Sequence, residues 1–226
     1  SPGVIEYREV PVPGELKENE VLLRIKKIGV CGSDIHVNHG KHPATPYPVV
    51  QGHEFSAIVE AVGKNVKNIM PGMRATARPQ LVCGICAPCK RGQFNVCQNL
   101  KVQGFQAPGV ARELFVTEED RVAVFPDSVS FDYGAMIEPV AVASHATGRV
   151  SSLEGKNVVV TGAGTIGNLI AQFAKARGAR KVLITDISDY RLNIAKQCGI
   201  DGILNISKDS FEEKVNEFFG EEGFQV

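Results

Sequence analysis

No stretch of the chain stays apolar for anything near the roughly 18 residues that cross a bilayer, so a membrane-spanning helix is excluded. A net charge is also missing. Twenty-five Lys and Arg balance 25 Asp and Glu, and without a global field neither nucleic acid nor an anionic membrane is favoured, so any partner must be recognised locally. The sequence contains no internal repeat and no low-complexity segment. Proline is absent from Val140 to Val226, all 12 prolines lying at or before Pro139. No amino-terminal signal segment accompanies the cysteines, four of whose six members crowd between Cys83 and Cys97. Crowded cysteines without a secretory signal favour metal over a disulfide framework and point to the cytoplasm.

What is present is an ordinary globular composition, 43% apolar and 22% charged over 226 residues, or between one and two domains at roughly 150 residues each. The chain starts at Ser1 without a methionine and stops at Val226 inside what reads as a strand, so we expect part of a longer protein. From Glu20 to Val30 the residues partly alternate, with Val21, Leu23 and Ile25 on one face of a half-buried strand. Similar short runs at Phe55–Val62 and Arg121–Phe125 are separated by turn formers such as Pro13-Gly14, Pro71-Gly72 and Pro108-Gly109. This part is expected to be mostly β.

After Pro139 the grammar changes. Asn157–Thr161 is a continuous apolar strand, followed by Ile166, Leu169, Ile170, Phe173 and Ala174 at the spacing of one helical face. A strand at Lys181–Thr185, a helix near Tyr190–Cys198, a short strand at Gly202–Ile206 and a helical face of Phe211, Val215, Phe218 and Phe219 complete a β-α-β-α-β-α series, which calls for parallel strands. The boundary is expected near Val150, after a helix from Tyr133 to Gly148, giving domains 1–150 and 151–226.

Gly162-Ala163-Gly164-Thr165-Ile166-Gly167 is a G-x-G-x-x-G turn between a strand and a helix. Its first glycine permits the turn, its second lets the backbone approach a pyrophosphate, and its third lets helix and strand close together, with the helix amino terminus facing the phosphates. Asp186 ends the next strand nineteen residues after Gly167, where a carboxylate accepts hydrogen bonds from an adenosine ribose diol and repels a 2′-phosphate, favouring NAD over NADP. The bland alternative is a tight connection with Asp186 as a cap. Arg191 either covers the adenine or is a solvated helix residue.

Cys83, Cys86, Cys89 and Cys97 read C-x2-C-x2-C-x7-C. Three large apolar residues, Ile85, Phe94 and Val96, are too few to offset the ordering of this window, so it needs another source of stability. Four thiolates around a tetrahedral Zn²⁺ provide one. An iron–sulfur cluster and paired disulfides are the competing readings. Cys198 is expected to be a small buried hydrophobe on a helix, His145 a packed helix residue, and His39 and His42 merely exposed.

Cys31, in Gly29-Val30-Cys31-Gly32-Ser33-Asp34-Ile35-His36, follows a strand, and Gly52-His53-Glu54 precedes the next. With the four-cysteine lobe and the glycine turn in this order, the chain resembles the zinc-containing medium-chain alcohol dehydrogenases, in particular the sorbitol, polyol and threonine dehydrogenase branch. The resemblance covers nearly the whole chain. It implies a GroES-like β-barrel catalytic domain over 1–150 carrying both zincs, with the lobe at 83–97, and the first half of a Rossmann NAD-binding domain over 151–226, an α/β doubly wound parallel sheet. Cys31, His53 and Glu54 match the catalytic zinc ligands, Glu138 a further ligand or the holder of the metal's water, Ser33 and His36 a proton relay, and Asp34 a partner behind the ligands. Glu138 could also be an ordinary helix carboxylate.

The chemistry of these residue types agrees: a metal with few protein ligands keeps a position for substrate and acts as a Lewis acid, and a serine beside a histidine can pass a proton to water. The sequence departs from the family at Ala57, where glycine is common, at Met73, where aspartate is frequent, and over Pro108–Leu114, an altered form of Gly-Gly-Phe-Ala-Glu-Tyr. Family members run roughly half as long again, and a complete sheet has about six strands. The expected function is oxidation of a secondary alcohol of a polyol, sugar derivative, diol or threonine-like compound with NAD, in a homodimer or homotetramer, without nucleic acid or membrane. The alternative is a zinc-stabilised, non-catalytic binding or scaffold fragment.

Overall fold

In the computed structural model, which describes residues 1–226, the alternating run becomes strand β1 (Glu20–Gly29), with Val21 and Leu23 buried and Ile25 partly so. Helix α1 (Gly32–Asn38) lies directly after it, then β2 (Glu54–Val62) and β3 (Arg74–Ala77). The cysteine lobe is bracketed by β4 (Gln80–Leu81) and β5 (Lys101–Val102) and contains one short turn of helix, α2 (Ala87–Lys90). Strands β6 (Leu114–Glu118) and β7 (Val122–Phe125) and helix α3 (Phe131–Ala135) complete the first compact unit, Ser1–Glu138. Its main sheet has five antiparallel strands in the order β6-β1-β2-β3-β7, and β4 pairs β5 separately.

Phe55, Val59, Ala75, Val110 and Phe115 pack on Val21 and Leu23 to form the core of this sheet. Burying one such large side chain contributes roughly 1.5–3 kcal/mol. The β1–β2 register shifts between Ile25 and Lys27, and beyond that bulge Gly29 stands opposite Glu54. A bulge re-aims the residues on its far side, and here it brings the end of β1 opposite the start of β2.

The helix expected from Tyr133 to Gly148 is two helices, α3 and α4 (Ile137–Gly148), parted at Met136. Pro139 has no N–H to donate to the Ala135 carbonyl, so the first helix stops there and the proline falls within the first turn of the next, where it is tolerated. Contacts divide the chain at Glu138/Pro139, at the start of α4, whereas the boundary expected near Val150 lies beyond its end. His145, expected to be packed, is exposed on α4, whose buried positions are Pro139, Ala143 and Thr147.

The second unit, Pro139–Val226, alternates β8 (Asn157–Thr161), α5 (Thr165–Ala176), β9 (Lys181–Asp186), α6 (Asp189–Gln197), β10 (Gly202–Asn205) and α7 (Phe211–Phe219). The strands are parallel in the order β10-β9-β8. Beside β8 the chain returns after α7, Val159 N–H donating to the Val226 carbonyl at 2.8 Å and Gln225 N–H to the Asn157 carbonyl at 3.0 Å. β8 is thus an edge strand of the three-stranded sheet whose free side meets the chain at Gln225 and Val226.

On α5 the buried residues are Asn168, Ala171 and Ala174, with Ile170 packed on the core, while Ile166 is exposed and Leu169 and Phe173 are only half-buried. The inward face is thus rotated from the expected one. Gly167 brings the helix so close to β8 that only small side chains fit beneath it. Cys198, expected to be buried, is exposed: α6 ends at Gln197 and Cys198 is its C-cap, the inward positions being Leu192, Ala195 and then Ile200. No helix is long and apolar enough to cross a membrane.

Candidate functional site

β1 delivers Cys31 to the N-cap of α1, where Asp34 Oδ2 accepts the Cys31 N–H at 3.0 Å and closes the first turn. β2 begins at Glu54, so His53 and Glu54 arrive at the same end of the sheet. The ligand atoms of Cys31, His53 and Glu54 all lie within 4.8 Å of one another. His53 and Glu54 are buried and Cys31 half-buried. Glu54 can lie there because its partner in β1 is Gly29: a Cβ on Gly29 would come 2.5 Å from Glu54 Oε2.

Burial pushes the Cys31 thiol up, with Glu54 and Asp34 adding and Ser33 opposing. Burial likewise raises the Glu54 and Glu138 carboxyls, His53 opposing in both cases. Each group is thus held toward its neutral form by burial, an effect that a bound cation would oppose. His53 Nδ1 and Asp34 Oδ1 are buried without a hydrogen-bond partner, 3.7 Å apart.

Among the expected residues, Ser33 follows Cys31 on α1 and opposes the rise of its thiol, and Glu138, half-buried in the first turn of α4, lies within electrostatic range of His53 and Glu54 without joining the three close donors. His36 is exposed in the last turn of α1. His42, expected to be merely exposed, is half-buried: its ring stacks on Phe105 at 4.5 Å, and Phe105 in turn meets the His53 ring at 5.0 Å. Nothing in the local sequence around Phe105 announced this contact. Gly29 carried a usable signal, since glycine at a strand end marks a close approach.

In the lobe, Cys83, Cys86, Cys89 and Cys97 bring their sulfurs within 4.8 Å of one another, all as free thiols. Cys97 Sγ lies 3.6 Å from Cys83 Sγ and 3.9 Å from Cys86 Sγ. Backbone N–H groups of Cys86 and Ile85 lower the Cys83 thiol to about 6, while burial and the neighbouring sulfurs push Cys89 up to about 12. Ile85, Phe94 and Val96 are 76%, 38% and 55% exposed, so the lobe has almost no apolar core of its own.

The three glycines of the turn differ in what requires them. Gly162 has φ +89°, and a Cβ on Gly167 would lie 1.7 Å from the Gly162 carbonyl oxygen. Both are demanded by the chain itself. Gly164, the N-cap of α5, has φ −68° and ψ −177°, open to any residue, and a Cβ there would meet nothing within 4 Å. Neither strain nor crowding demands glycine here, and the helix end in front of it is open. Thr165 and Ile166, both exposed, open α5 beside that space.

Asp186 Oδ2 accepts the Ala163 N–H at 2.7 Å, and Oδ1 accepts those of Ile187 and Ser188 at 2.8 and 2.9 Å. Burial alone would raise this carboxyl, but the three N–H groups and Arg191 outweigh it and hold it below its usual value. A carboxylate offers about four acceptor sites, so capacity for one further donor remains. Arg191 Nη1 lies 3.7 Å from Asp186 Oδ2 with its side chain largely exposed.

Two family models match the chain, the alcohol dehydrogenase GroES-like domain over residues 17–127 and the zinc-binding dehydrogenase domain over residues 165–226. The L-threonine 3-dehydrogenase of Protochlamydia amoebophila (strain UWE25) is 36% identical over 229 residues, a match spanning 100% of this chain and 66% of that protein. Galactitol-1-phosphate dehydrogenase from Escherichia coli superposes with a TM-score of 0.89 at 34% identity, over 96% of this chain and 63% of that one. A short chain alcohol dehydrogenase from E. coli CFT073, solved with NADH, superposes with a TM-score of 0.86 at 36% identity, again over 96% and 63%. The chain thus spans just under two thirds of the length of these proteins.

Proposed function

Because the chain belongs to the zinc-containing alcohol dehydrogenase family, with a GroES-like domain and part of a Rossmann domain, we propose that its protein moves a hydride from a secondary alcohol to NAD. The observation that carries this reading is the convergence of Cys31, His53 and Glu54, whose ligand atoms lie within 4.8 Å of one another in a largely buried cluster.

The donor sets suit Zn²⁺. Thiolates about 2.3 Å from a tetrahedral zinc stand roughly 3.8 Å apart, and the lobe's sulfur separations of 3.6 and 3.9 Å bracket that value. Cys83, Cys86, Cys89 and Cys97 would hold a structural zinc, and Cys31, His53 and Glu54, with Glu138 nearby, a catalytic one. When bound, zinc would supply Lewis acidity toward an alcohol oxygen and NAD would accept the hydride. The chain's own residues do the rest. Asp34 fixes Cys31 through its backbone N–H and stands behind His53. Ser33, beside the Cys31 sulfur, and His36, exposed one helical turn on, form a route from the buried cluster to water for the alcohol proton.

Gly162, Gly164, Thr165, Ile166 and Gly167 shape the pyrophosphate cradle. Asp186 keeps an acceptor site for a ribose hydroxyl and repels a 2′-phosphate, so NAD is preferred to NADP, and Arg191 borders that site. The substrate class is a secondary alcohol carried by a polyol, a sugar derivative or a threonine-like hydroxy amino acid, in keeping with the relatives. The test is zinc content together with reduced-cofactor formation on threonine, polyols and diols, with NAD and NADP in parallel. Two zincs per chain and turnover with NAD, abolished in Cys31→Ala and His53→Ala, are expected. Full turnover in either variant would refute the mechanism.

A further inference from the structure

We propose that Phe105 is a positioning residue: its ring, backed by His42, fixes the plane of His53 and so sets how tightly the Cys31–His53–Glu54 cluster holds its metal. The inference rests on the reading of that cluster as a metal site.

A histidine that ligates a metal is ordinarily oriented by a hydrogen bond at its other ring nitrogen. Here that bond is missing. His53 Nδ1 has no partner, and Asp34 Oδ1, the acceptor that faces it, stands 3.7 Å away, beyond hydrogen-bond range. Asp34 therefore holds the imidazole only at the range of a charge contact, and packing completes its orientation. Phe105 supplies it, 8% exposed and with its ring centroid 5.0 Å from that of His53 at an interplanar angle of 51°. On its other face lies His42, parallel within 11° at 4.5 Å, whose Nδ1 is 2.7 Å from the hydroxyl of buried Thr45. Three rings therefore pack in a row, His42 stacked on Phe105 and Phe105 tilted against His53, with the proposed ligand at one end and an anchored imidazole at the other.

The mount of Phe105 is rigid. The amides of Phe105, Gln106 and Ala107 all converge on the Val102 carbonyl at 3.2, 3.1 and 3.3 Å, and Gly104 N–H donates to the Ala107 carbonyl at 2.9 Å. Gln106 locks this turn to the His42 loop, its Oε1 accepting the Val102 N–H and its Nε2 donating to the Ala44 carbonyl, both at 3.0 Å. Gly104, at φ +82°, presses the same turn against the residue before His53: a Cβ on it would lie 2.9 Å from the Gly52 nitrogen. Since Val102 ends β5, the stem by which the chain leaves the four-cysteine lobe, the lobe carries the residue that steadies the other cluster.

The test is a Co²⁺ titration of the metal-free, reduced, intact chain, because a four-thiolate cobalt site and a one-thiolate site have distinct absorption spectra. In Phe105→Ala, Co²⁺ affinity at the Cys31 cluster should fall by about 10-fold and its ligand-field bands should shift, while the lobe's four-thiolate spectrum and affinity stay as in the parent. Phe105→Leu, which keeps an apolar body, should lose less, and His42→Ala, which removes only the backing, should lose a few-fold. Affinity at the Cys31 cluster within twofold of the parent in Phe105→Ala would overturn the proposal, as would equal weakening of both sites. Uptake of a single Co²⁺ by the parent chain, at the lobe, would overturn this inference and the metal reading of the cluster together.

Discussion

Replacing Gly29 by alanine separates the requirements of folding from those of holding a metal. The backbone at Gly29 is not in the left-handed region, so alanine meets no conformational strain there. The added methyl would sit 2.5 Å from Glu54 Oε2 and 3.0 Å from Glu54 Cβ. The atom that must yield most is the free end of a glutamate, which can swing aside by rotation about its own bonds. The loss of stability should therefore be modest, about 1 kcal/mol, or about 2–4 °C in melting temperature for a protein of this size. The carboxylate, however, is displaced from Cys31 and His53, and the cluster loses the alignment of one of its three close donors. An effect of this kind weakens metal binding by about 10- to 100-fold, roughly 1.4–2.7 kcal/mol. The assay is competition for Zn²⁺ against a chromophoric chelator, beside thermal melting of the metal-free protein. A Gly29→Ala protein that binds zinc within twofold of the parent would refute the reasoning, because Glu54 would then have no part in the site.

The glycine turn gives a paired test: Gly164→Ala, at the N-cap of α5, should cost no more than about 1 kcal/mol and weaken NADH binding at least 10-fold by fluorescence titration, whereas Gly167→Ala, with its methyl 1.7 Å from a backbone oxygen, should destabilise by about 3 kcal/mol or more in urea unfolding. Asp186 makes a pH prediction. Its folded carboxyl lies below the usual 3.8, so its stabilisation is fully present above about pH 4 and is lost as pH falls through the lower folded value. Asp186→Asn should therefore flatten the fall in unfolding free energy between about pH 5 and 2, and an unchanged slope would show that the three N–H contacts carry no charge-dependent stability. In the metal-free chain at pH 7, iodoacetamide should modify Cys83, with its thiol near 6, well before Cys89, near 12. Peptide mass spectrometry after brief alkylation reads the order, and Cys89 reacting first would contradict it.

Legibility in the sequence tracked the range of the interactions. The clustering of the four sulfurs and the glycine turn were readable because each is set by short, fixed spacings within one segment. The strands of the first unit were readable from alternation at β1, where one face is buried, and the βα alternation of the second from its change of period. The α5 face was misplaced because Gly167 sets the helix by contact with a carbonyl rather than by hydrophobicity. Cys31, His53 and Glu54 came only through resemblance, since 21 residues separate Cys31 from His53 and the register that joins them is fixed by a β1 bulge. His42 and Phe105 were missed for the same reason: each is unremarkable in its own segment, and the stack exists only where two distant turns meet.

The exposure of Ile85, Phe94 and Val96 changes what the lobe is for. A fifteen-residue window whose large apolar side chains remain in water cannot be a hydrophobic subdomain, so its order must come from its four sulfurs and from its base. At that base Arg121 donates to the Arg78 carbonyl at 2.7 Å and to Gln103 Oε1, and Gln103 N–H donates to the Pro79 carbonyl at 3.0 Å, so the two strands of the stem are fixed to the main sheet from one side. The sulfurs fix them from the other. The turn that leaves this stem carries Gly104 and Phe105 against Gly52 and His53. A metal held by the four sulfurs, as proposed, would close the loop on which Phe105 is mounted, and so would bear on the Cys31–His53–Glu54 cluster without touching it.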